Sequence, residues 1–281
     1  MSDTGVRTFE ELIAEAEAAS VDGWDFSWLD GRATEERPDW RYARLLADRL
    51  SRATAALDLQ TGGGEVLAEA LAGAREGAGG AAAESPREGA RESARPGPAL
   101  TVATESWPPN IARATALLHP LGVALVADQD EPPLPFGDAA FDLVVSRHPV
   151  RAWWDEIARV LRPGGTYLSQ EVGPASVFEL VEYFLGPMPP EIRSGRDPDR
   201  AKKEAEAAGL DVVDLRTAAL RTEFRDIGAV VYFLRKVIWM VPGFTVERYR
   251  DQLLELHRRI ASDGPFVATT TRFLIEAVKP A

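Results

Sequence analysis

Five short apolar segments, separated by stretches with helical periodicity, constrain the fold of this chain more than any other feature. They are TAALDL, ALTVATE, VALVAD, FDLVVSRH and TYLSQEV, which all lie between residues 54 and 172. The segments VLAEALA, PNIARATALLHP and WWDEIARVLRP lie between some of them. Strands that alternate with helices indicate an α/β fold with a parallel sheet covered on both faces. In such a sheet, ligands bind at the carboxyl ends of the strands.

Residues 72–98 interrupt this alternation. They contain only Ala, Gly, Arg, Glu, Ser and Pro, so they offer no aliphatic side chain larger than Ala. Such a composition cannot supply a core. We predict a low-complexity insertion, flexible or transiently helical, that serves as a surface spacer. A domain boundary is the alternative, but the alternation of strands and helices resumes after it.

The first fifty residues read as helices around an aromatic loop. Thr8 and Glu11 have the spacing of a capping box at the start of an amphipathic helix. A second helix is predicted over residues 38–51, with Pro38 near its first turn. Between them, the segment VDGWDFSWLDG either packs its aromatic side chains on the core or forms a flap over a ligand.

Charge and composition narrow the classes of function. The net charge is −12, from 44 acidic and 32 basic residues, and a chain this acidic repels a phosphate backbone unless it gathers its bases on one face. We therefore expect a small-molecule partner and not a nucleic acid. The chain has no cysteine, no apolar run long enough to span a membrane and no signal-peptide pattern at its acidic N-terminus. These features predict a cytoplasmic protein without membrane association.

A glycine-rich turn and three acidic residues suggest a ligand pocket. Gly62-Gly63-Gly64 follow the first predicted strand, where glycine permits positive φ and a close approach of the backbone to a ligand. Asp58 lies inside that strand, Glu105 ends the second and Asp128 follows the third. An acid at the end of the second strand can accept hydrogen bonds from both ribose hydroxyls. Three acids at successive strand ends predict a pocket for a polar, cationic or sugar-bearing ligand.

Read together, these segments resemble the class I S-adenosylmethionine-dependent methyltransferases that act on small molecules. The resemblance runs from about Thr54 to Val172 and includes LDLQTGGGE, VATES, VADQDEPPLPFGDAAFDLVVSRH and EIARVLRPGGTYLSQEV. It implies a Rossmann-like, doubly wound, seven-stranded sheet, mostly parallel, with a C-terminal antiparallel hairpin. The implied cofactor is S-adenosyl-L-methionine, and no metal is implied.

The resemblance also implies roles for individual residues. Gly62 and Gly64 would line the methionine moiety, Glu105 would hold the ribose hydroxyls and Asp128 would face the adenine amine. Asp58 would order the loop or bind a cofactor amine through water. The complete set of implied cofactor contacts is Asp58, Gln60, Thr61, Gly62, Gly64, Glu105, Ser106, Asp128, Gln129 and Ser146.

Gln60 departs from the family pattern, because it stands where the first glycine of the loop is usual. Its side chain either crowds the cofactor or hydrogen-bonds to it. Other nucleotide-binding loops match less well. The third position of a dinucleotide-binding G-x-G-x-x-G motif is Leu67, and no Gly-Lys-Ser/Thr of a P-loop follows.

Methyl transfer is an in-line displacement that requires a close, collinear and dry arrangement of donor and acceptor. A base is needed only when the acceptor must lose a proton. His148, after the fourth strand, is the candidate base; the alternative is that it shapes the loop. Arg147 either joins Ser146 in the cofactor wall or forms a surface ion pair.

The region after the fifth strand is expected to set the specificity for the methyl acceptor. It contains a helix that stops at Gly209, a sixth strand, and a last strand in GPFVATTTRFLIEAVKP. Two helices broken at Pro242-Gly243 form an insertion over residues 224–262 that either packs on the core or, by the resemblance, covers the acceptor. The predicted organisation is an N-terminal helical cap over 1–53 and a methyltransferase domain over 54–281.

These patterns predict methyl transfer from S-adenosylmethionine to oxygen, nitrogen or carbon of a small molecule. An RNA methyltransferase is the enzymatic alternative, although the basic segments RAKKE and LHRR are typical of solvated helix faces. A protein that binds the cofactor without turnover, as a scaffold or sensor, is the alternative from another class. The oligomeric state is not predicted.

Overall fold

A computed structural model describes residues 7–23, 26–81 and 97–281. They divide into two compact units. Of the described residues, those within 1–37, 173–195 and 219–271 form the helical unit, and those within 38–172, 196–218 and 272–281 form the sheet unit. Trp24 of the predicted aromatic loop and residues 82–96 of the predicted low-complexity insertion lie outside the described residues. The predicted cap 1–53, domain 54–281 and insertion 224–262 stay predictions.

The described residues form eight strands and ten α-helices. The strands are β1 Ala33–Glu35, β2 Ala55–Leu59, β3 Leu100–Glu105, β4 Val123–Ala127, β5 Phe141–Arg147, β6 Leu161–Val172, β7 Asp211–Phe224 and β8 Phe266–Val278. The helices are α1 Phe9–Ala18, α2 Tyr42–Arg52, α3 Glu65–Ala81, α4 Pro108–Leu118, α5 Trp154–Val160, α6 Phe178–Leu185, α7 Pro190–Arg193, α8 Pro198–Ala207, α9 Ile227–Lys236 and α10 Arg250–Asp263.

The strands are ordered β1-β7-β8-β6-β5-β2-β3-β4. Five strands from β6 to β4 are paired in parallel, and β8 runs antiparallel to β6. The predicted α/β fold, mostly parallel with antiparallel C-terminal pairing, is therefore confirmed. The prediction of seven strands is wrong by one, because β1 adds an eighth through antiparallel pairing of Ala33 with Phe224. β1 has only three residues, which is too short for a recognisable period.

Three predicted boundaries differ from the structure. The helix predicted over 38–51 begins at Tyr42, since Arg41 takes a φ of +49° and separates Pro38 from the first turn. The helix predicted through WWDEIARVLRP ends at Val160. α3 continues to Ala81, so the first ten residues of the predicted low-complexity insertion extend a regular helix.

β6 begins earlier than predicted, at Leu161, and contains a β-bulge formed by the segment RPGG. Its pairing shifts from Phe141↔Leu161 to Leu143↔Thr166. Gly165 is required there, because a Cβ would lie 2.9 Å from the carbonyl oxygen of Arg162. A bulge of this kind changes the direction of a strand and increases its twist.

The sheet unit buries side chains on both faces of the sheet. All five residues of β2 are buried. Because successive strand residues point to opposite faces, β2 contributes Leu57 to one core cluster and Ala56 to the other. The first cluster contains Ile157 of α5, and the second contains Leu67 of α3. Strands covered on both faces are typical of parallel sheets.

The helical unit has its own core, built around α1, α6, α9 and α10. The predicted capping box is present: Glu11 N–H donates to Thr8 Oγ1 and Thr8 N–H donates to the Glu11 carboxylate. Asp226 caps α9 by accepting from Ala229 N–H at 2.9 Å. Gly228 permits close packing, because a Cβ would lie 2.9 Å from the carbonyl oxygen of Leu12. α1 and α9 therefore form a tight pair within this unit.

In the described parts of the chain, we find no helix whose length and apolar character would let it cross a membrane.

Candidate functional site

The loop between β2 and α3 is held by β3. Gln60 N–H donates to Thr104 Oγ1 at 3.0 Å, and Thr61 N–H donates to the carbonyl oxygen of Thr104 at 2.9 Å. Gly64, at φ +88°, is where the chain turns into α3, and a Cβ there would lie 2.8 Å from Leu118. Glycine is thus required by both conformation and packing. The loop reaches the same edge of the sheet as the ends of β3, β4 and β5.

Asp58 is a buried carboxylate beneath this loop. Its Oδ2 accepts a hydrogen bond from Thr61 Oγ1 at 2.7 Å. Burial, and secondarily the charge of Glu105, raise the pKa of Asp58 to about 7, although the Thr61 hydroxyl and Arg147 act in the opposite direction. Asp58 therefore changes its charge near neutral pH, which is uncommon for an aspartate.

Glu105 organises the loops through backbone amides. Its Oε2 accepts from Gly62 N–H at 2.8 Å, and its Oε1 accepts from Ser106 and Trp107 N–H at 3.0 and 2.9 Å. The residue is 4% exposed. A carboxylate offers about four acceptor positions, so the three amides leave room for one further hydrogen bond. Glu105 thus ties the glycine-rich loop to the start of α4.

Gln60 bridges the same two loops. Its φ is +54°, which suits the glycine that the family pattern has at this position. Its Oε1 accepts from Ser106 N–H at 3.1 Å. Its Nε2 is buried and has no hydrogen-bond partner within the described structure.

Asp128 and Gln129 follow β4, and a third acid, Asp130, extends this wall. Asp130 N–H donates to Asp128 Oδ2 at 3.2 Å, and the indole of Trp153 donates to the carbonyl oxygen of Asp130 at 2.9 Å. Arg151 lies 4.2 Å over the Trp153 ring. Burial, followed by the charges of Asp128 and Glu105, raises the pKa of Asp130 to about 6. Gln129 is exposed.

Ser146 and Gln60 lie in one pocket. The pocket is also lined by Asp130, Arg151, Trp153 and Tyr167, together with the apolar side chains of Leu59, Pro149, Ala152 and Ile157. Ser146 Oγ donates to the carbonyl oxygen of Leu59 at 3.1 Å. The structure thus brings together Asp58, Gln60, Thr61, Gly62, Glu105 and Ser106 by direct hydrogen bonds, and it adds Ser146 through the pocket.

His148 is half-buried next to this pocket and contacts Gln170. Trp40 Nε1 donates to Gln170 Oε1 at 2.8 Å, so the amide nitrogen of Gln170 is the atom that faces His148 Nε2 at 3.3 Å. Since an amide nitrogen only donates, His148 Nε2 accepts and the ring proton lies on Nδ1. Burial and the charges of Arg147, Arg272 and Arg196 hold the pKa of His148 well below 6.5. The imidazole is therefore neutral at pH 7, with its lone pair engaged.

Sequence reasoning missed the polar face of β6. Tyr167, Ser169 and Glu171 alternate along this strand and therefore point to one face of the sheet. Burial raises the pKa of Glu171 to about 7, against the opposing influence of Arg196. The alternation of polar residues in TYLSQEV could have predicted this polar face, but we expected an apolar strand. Trp153 was missed because its indole contact joins residues far apart in sequence.

Replacing Arg196 with Met is expected to raise the pKa of both His148 and Glu171. Arg196 disfavours the imidazolium form of His148 and favours the carboxylate form of Glu171, so its removal favours the protonated form of each. NMR titration of the two side chains measures both values. The control is Lys202→Met, which removes a cation on α8 that pairs with Glu206 at 3.8 Å. Movement of the two pKa values in opposite directions would contradict the assignment of Arg196 as their shared neighbour.

The site fits the cofactor implied by the sequence resemblance. Glu105 keeps one acceptor position, Asp128 stands at the end of β4, and the unpartnered Gln60 Nε2 is a donor that a polar ligand would satisfy. Among the described residues, no group of three or more His, Cys, Asp or Glu side chains is placed to hold a metal ion.

Part of the chain matches a known protein family. Residues 84–169 match the family model described as a methyltransferase domain. A search of curated protein sequences finds no match.

Two solved structures share the fold. The YcgJ protein from Bacillus subtilis is 16% identical, with a TM-score of 0.57 over 86% of this chain and 99% of that one. A candidate methyltransferase from Bacillus halodurans C-125 is 19% identical, with a TM-score of 0.53 over 84% of this chain and 99% of that one. At these identities the likeness is one of fold.

Proposed function

We propose that this chain, which carries a class I S-adenosylmethionine-dependent methyltransferase domain, transfers a methyl group to oxygen, nitrogen or carbon of a small molecule by in-line displacement. The observation that carries the proposal is the connection between the glycine-rich loop and the strand-end acids. Asp58 and Glu105 both bond to that loop, and Asp128 and Asp130 form the adjoining wall. The roles of these residues in cofactor binding are part of the proposal.

The cofactor supplies a methyl group activated by a neighbouring sulfonium. The chain has to hold the reactants in line and keep water out, and no protein nucleophile is required. Glu105 would bind a ribose hydroxyl through its remaining acceptor position while it fixes the loop. Gly62 and Gly64 would let the backbone approach the ligand, and Trp153, anchored to Asp130, would close the pocket on one side.

The charge of the protein supports a small acceptor in place of RNA. The net charge is −12, and two of the three cations on α8 are paired: Arg200 with Glu204 and Lys202 with Glu206, both at 3.8 Å. Paired cations release fewer counterions from a phosphate backbone. The proposal has two further parts. The protein is cytoplasmic, as the absence of cysteine suggests, and residues 224–262 select the substrate.

His148 remains the proposed base, on one condition. Its Nε2 lone pair accepts from Gln170, so this contact must open before His148 can take a proton. A hydroxyl acceptor needs that step, whereas a neutral amine already presents a lone pair to the methyl group. The closed contact therefore favours an acceptor that reacts without losing a proton first.

The proposal is tested by calorimetric titration with S-adenosylmethionine and S-adenosylhomocysteine, followed by transfer of labelled methyl groups. We expect saturable binding of both compounds and label in a low-mass metabolite fraction but not in RNA. Label in RNA would favour the RNA alternative. Binding without transfer to either fraction would favour the scaffold or sensor, and absence of binding would contradict the proposal.

A further inference from the structure

Three buried oxygen atoms on β6 have no hydrogen-bond partner within the described structure: Tyr167 Oη, Ser169 Oγ and Glu171 Oε1. Tyr167 and Ser169 are 0% exposed. The three residues alternate along the strand, so their side chains point to the same face of the sheet at intervals of about 7 Å. Buried polar groups are nearly always hydrogen-bonded, and an unmade bond destabilises the folded state. The methyl transfer described above assigns no task to these three groups.

Ser169 stands between the other two groups. Burial raises the pKa of both Tyr167 and Glu171, but the Ser169 hydroxyl lowers both values, so it is close to both side chains. A hydroxyl both donates and accepts, whereas an ionised carboxylate only accepts. One arrangement therefore satisfies all three atoms: Tyr167 Oη–H donates to Ser169 Oγ, and Ser169 Oγ–H donates to Glu171 Oε1. We call these three residues the β6 chain.

The β6 chain leads from the pocket to a carboxylate. At one end, Tyr167 lines the pocket beside Gln60. At the other end, Glu171 lies one residue beyond Gln170, which forms the last pair between β5 and β6. The chain thus connects the pocket with the carboxyl end of the strand.

The two ends of the β6 chain differ in how readily they ionise. Burial raises the pKa of Glu171 to about 7, against the effects of Arg196 and the Ser169 hydroxyl, and Glu204 on α8 adds to the rise. The carboxylate can therefore take up and release a proton near neutral pH, as a base must. Burial, followed by the charge of Glu171, raises the pKa of Tyr167 well above 10. Tyr167 stays protonated and can pass its proton on only while it receives another.

We propose that Tyr167, Ser169 and Glu171 form a proton relay that carries a proton of the methyl acceptor from the pocket to the Glu171 carboxylate. The inference rests on the proposed function. As the acceptor oxygen or nitrogen bonds to the methyl carbon, the carbon–sulfur bond breaks and its electron pair stays on sulfur. The acceptor proton moves to Tyr167 Oη, the Tyr167 proton to Ser169 Oγ, and the Ser169 proton to Glu171 Oε1. Glu171 becomes a neutral carboxylic acid and releases the proton to water before the next turnover.

The relay is a route for the proton that does not pass through His148. Gln170 occupies the His148 lone pair, and it points to the opposite face of the sheet because it alternates with Ser169 and Glu171. The β6 chain therefore works without opening that contact. It serves a hydroxyl acceptor, which loses its proton during the transfer, and also an amine, which loses its proton from the ammonium product.

The connection within the relay is tested by NMR titration of the Glu171 carboxyl group. Ser169→Ala removes the hydroxyl that lowers the pKa of Glu171, so this pKa should rise. The control is Glu206→Gln, which removes an exposed carboxylate of α8 that pairs with Lys202 at 3.8 Å and should leave the Glu171 pKa unchanged. A Glu171 pKa that does not move in Ser169→Ala would overturn the inference.

Proton transfer is tested by single-turnover transfer of labelled methyl groups to the low-mass metabolite fraction, at pH values from about 6 to 9. The wild-type rate should rise with pH as Glu171 loses its proton. Glu171→Gln should lower the rate about 100-fold and abolish this rise, because a positioned proton acceptor contributes about 10²–10⁴-fold. Ser169→Ala and Tyr167→Phe interrupt the relay, so both should be slow and lose the solvent deuterium isotope effect. All three variants should bind S-adenosylhomocysteine as the wild type does.

Tyr167→Phe separates proton transfer from folding. It keeps the ring that packs on Trp154 and removes an unpartnered hydroxyl, so it should be at least as stable as the wild type. A merely structural hydroxyl would not change the rate while affinity and stability stay constant. A wild-type rate and pH profile in Glu171→Gln or Tyr167→Phe would overturn the inference and leave the proposed function intact. If the wild-type protein transfers no label, the proposed function fails and the relay with it.

Discussion

Glu105→Ala is expected to weaken S-adenosylhomocysteine binding by at least about tenfold, because one charge-assisted hydrogen bond to the ligand is worth about 1.5 kcal/mol. The Glu105 carboxylate has two roles, one structural and one in ligand binding. It fixes the loops through Gly62, Ser106 and Trp107, and it would retain one acceptor position for a ribose hydroxyl. Removal leaves three amide donors without this partner, so the free energy of unfolding should also fall by about 2–4 kcal/mol. Calorimetric titration and chemical denaturation measure the two effects.

Glu105→Gln separates shape from charge at this position. The amide keeps the volume of the side chain, but one of its two head atoms becomes a donor and can no longer accept from the backbone N–H groups. We expect an intermediate loss of binding and of stability. Glu69→Gln is the matched control, since it makes the same charge change on the exposed side of α3. Binding by Glu105→Ala that equals binding by this control would contradict the role assigned to Glu105.

The backbone of the site was predictable because its signals are local. Strand-end acids follow from short apolar runs, and the structure places Asp58 inside β2, Glu105 at the end of β3 and Asp128 directly after β4. Parallel pairing then brings these ends to one edge without further information. The start of α2 at Tyr42 and the short strand β1 were not predictable in this way. The first depends on a left-handed residue, Arg41, and the second on pairing with a distant strand.

Side-chain connections were the part that sequence could not provide. Gln60 was recognised as a departure from a pattern, but its bond to Ser106 and its free Nε2 depend on how two loops meet. The contact of Gln170 with His148 depends in turn on Trp40, which lies 130 residues away in sequence. Tertiary packing sets these directions, and no local period encodes them.

Asp58→Asn is expected to remove the largest single pH dependence that the site imposes on stability. The folded-state pKa of about 7 lies above the ordinary value of 3.8, so the folded protein holds a proton that the unfolded chain has already released. The stabilisation is complete below the unfolded pKa and is lost as the pH rises towards 7. At about 1.4 kcal/mol per pH unit, the wild type should lose about 4 kcal/mol of unfolding free energy between pH 4 and 8 from this group.

The asparagine variant should therefore gain stability relative to the wild type as the pH rises, by about 4 kcal/mol over this window. Burial raises the pKa of Glu171 to about 7, so this residue also makes the wild type less stable as the pH rises, and its contribution remains in the asparagine variant.

Thr61→Val is expected to have the opposite effect to Asp58→Asn and to increase the pH dependence of stability. It removes the hydroxyl that lowers the pKa of Asp58, so the loss of stability should extend to higher pH. Denaturation curves at several pH values measure all three proteins. If the unfolding free energy of Asp58→Asn falls with pH as steeply as that of the wild type, Asp58 is ionised over the whole pH range. The loop above it is then held by a charged carboxylate and not by a protonated carboxyl group.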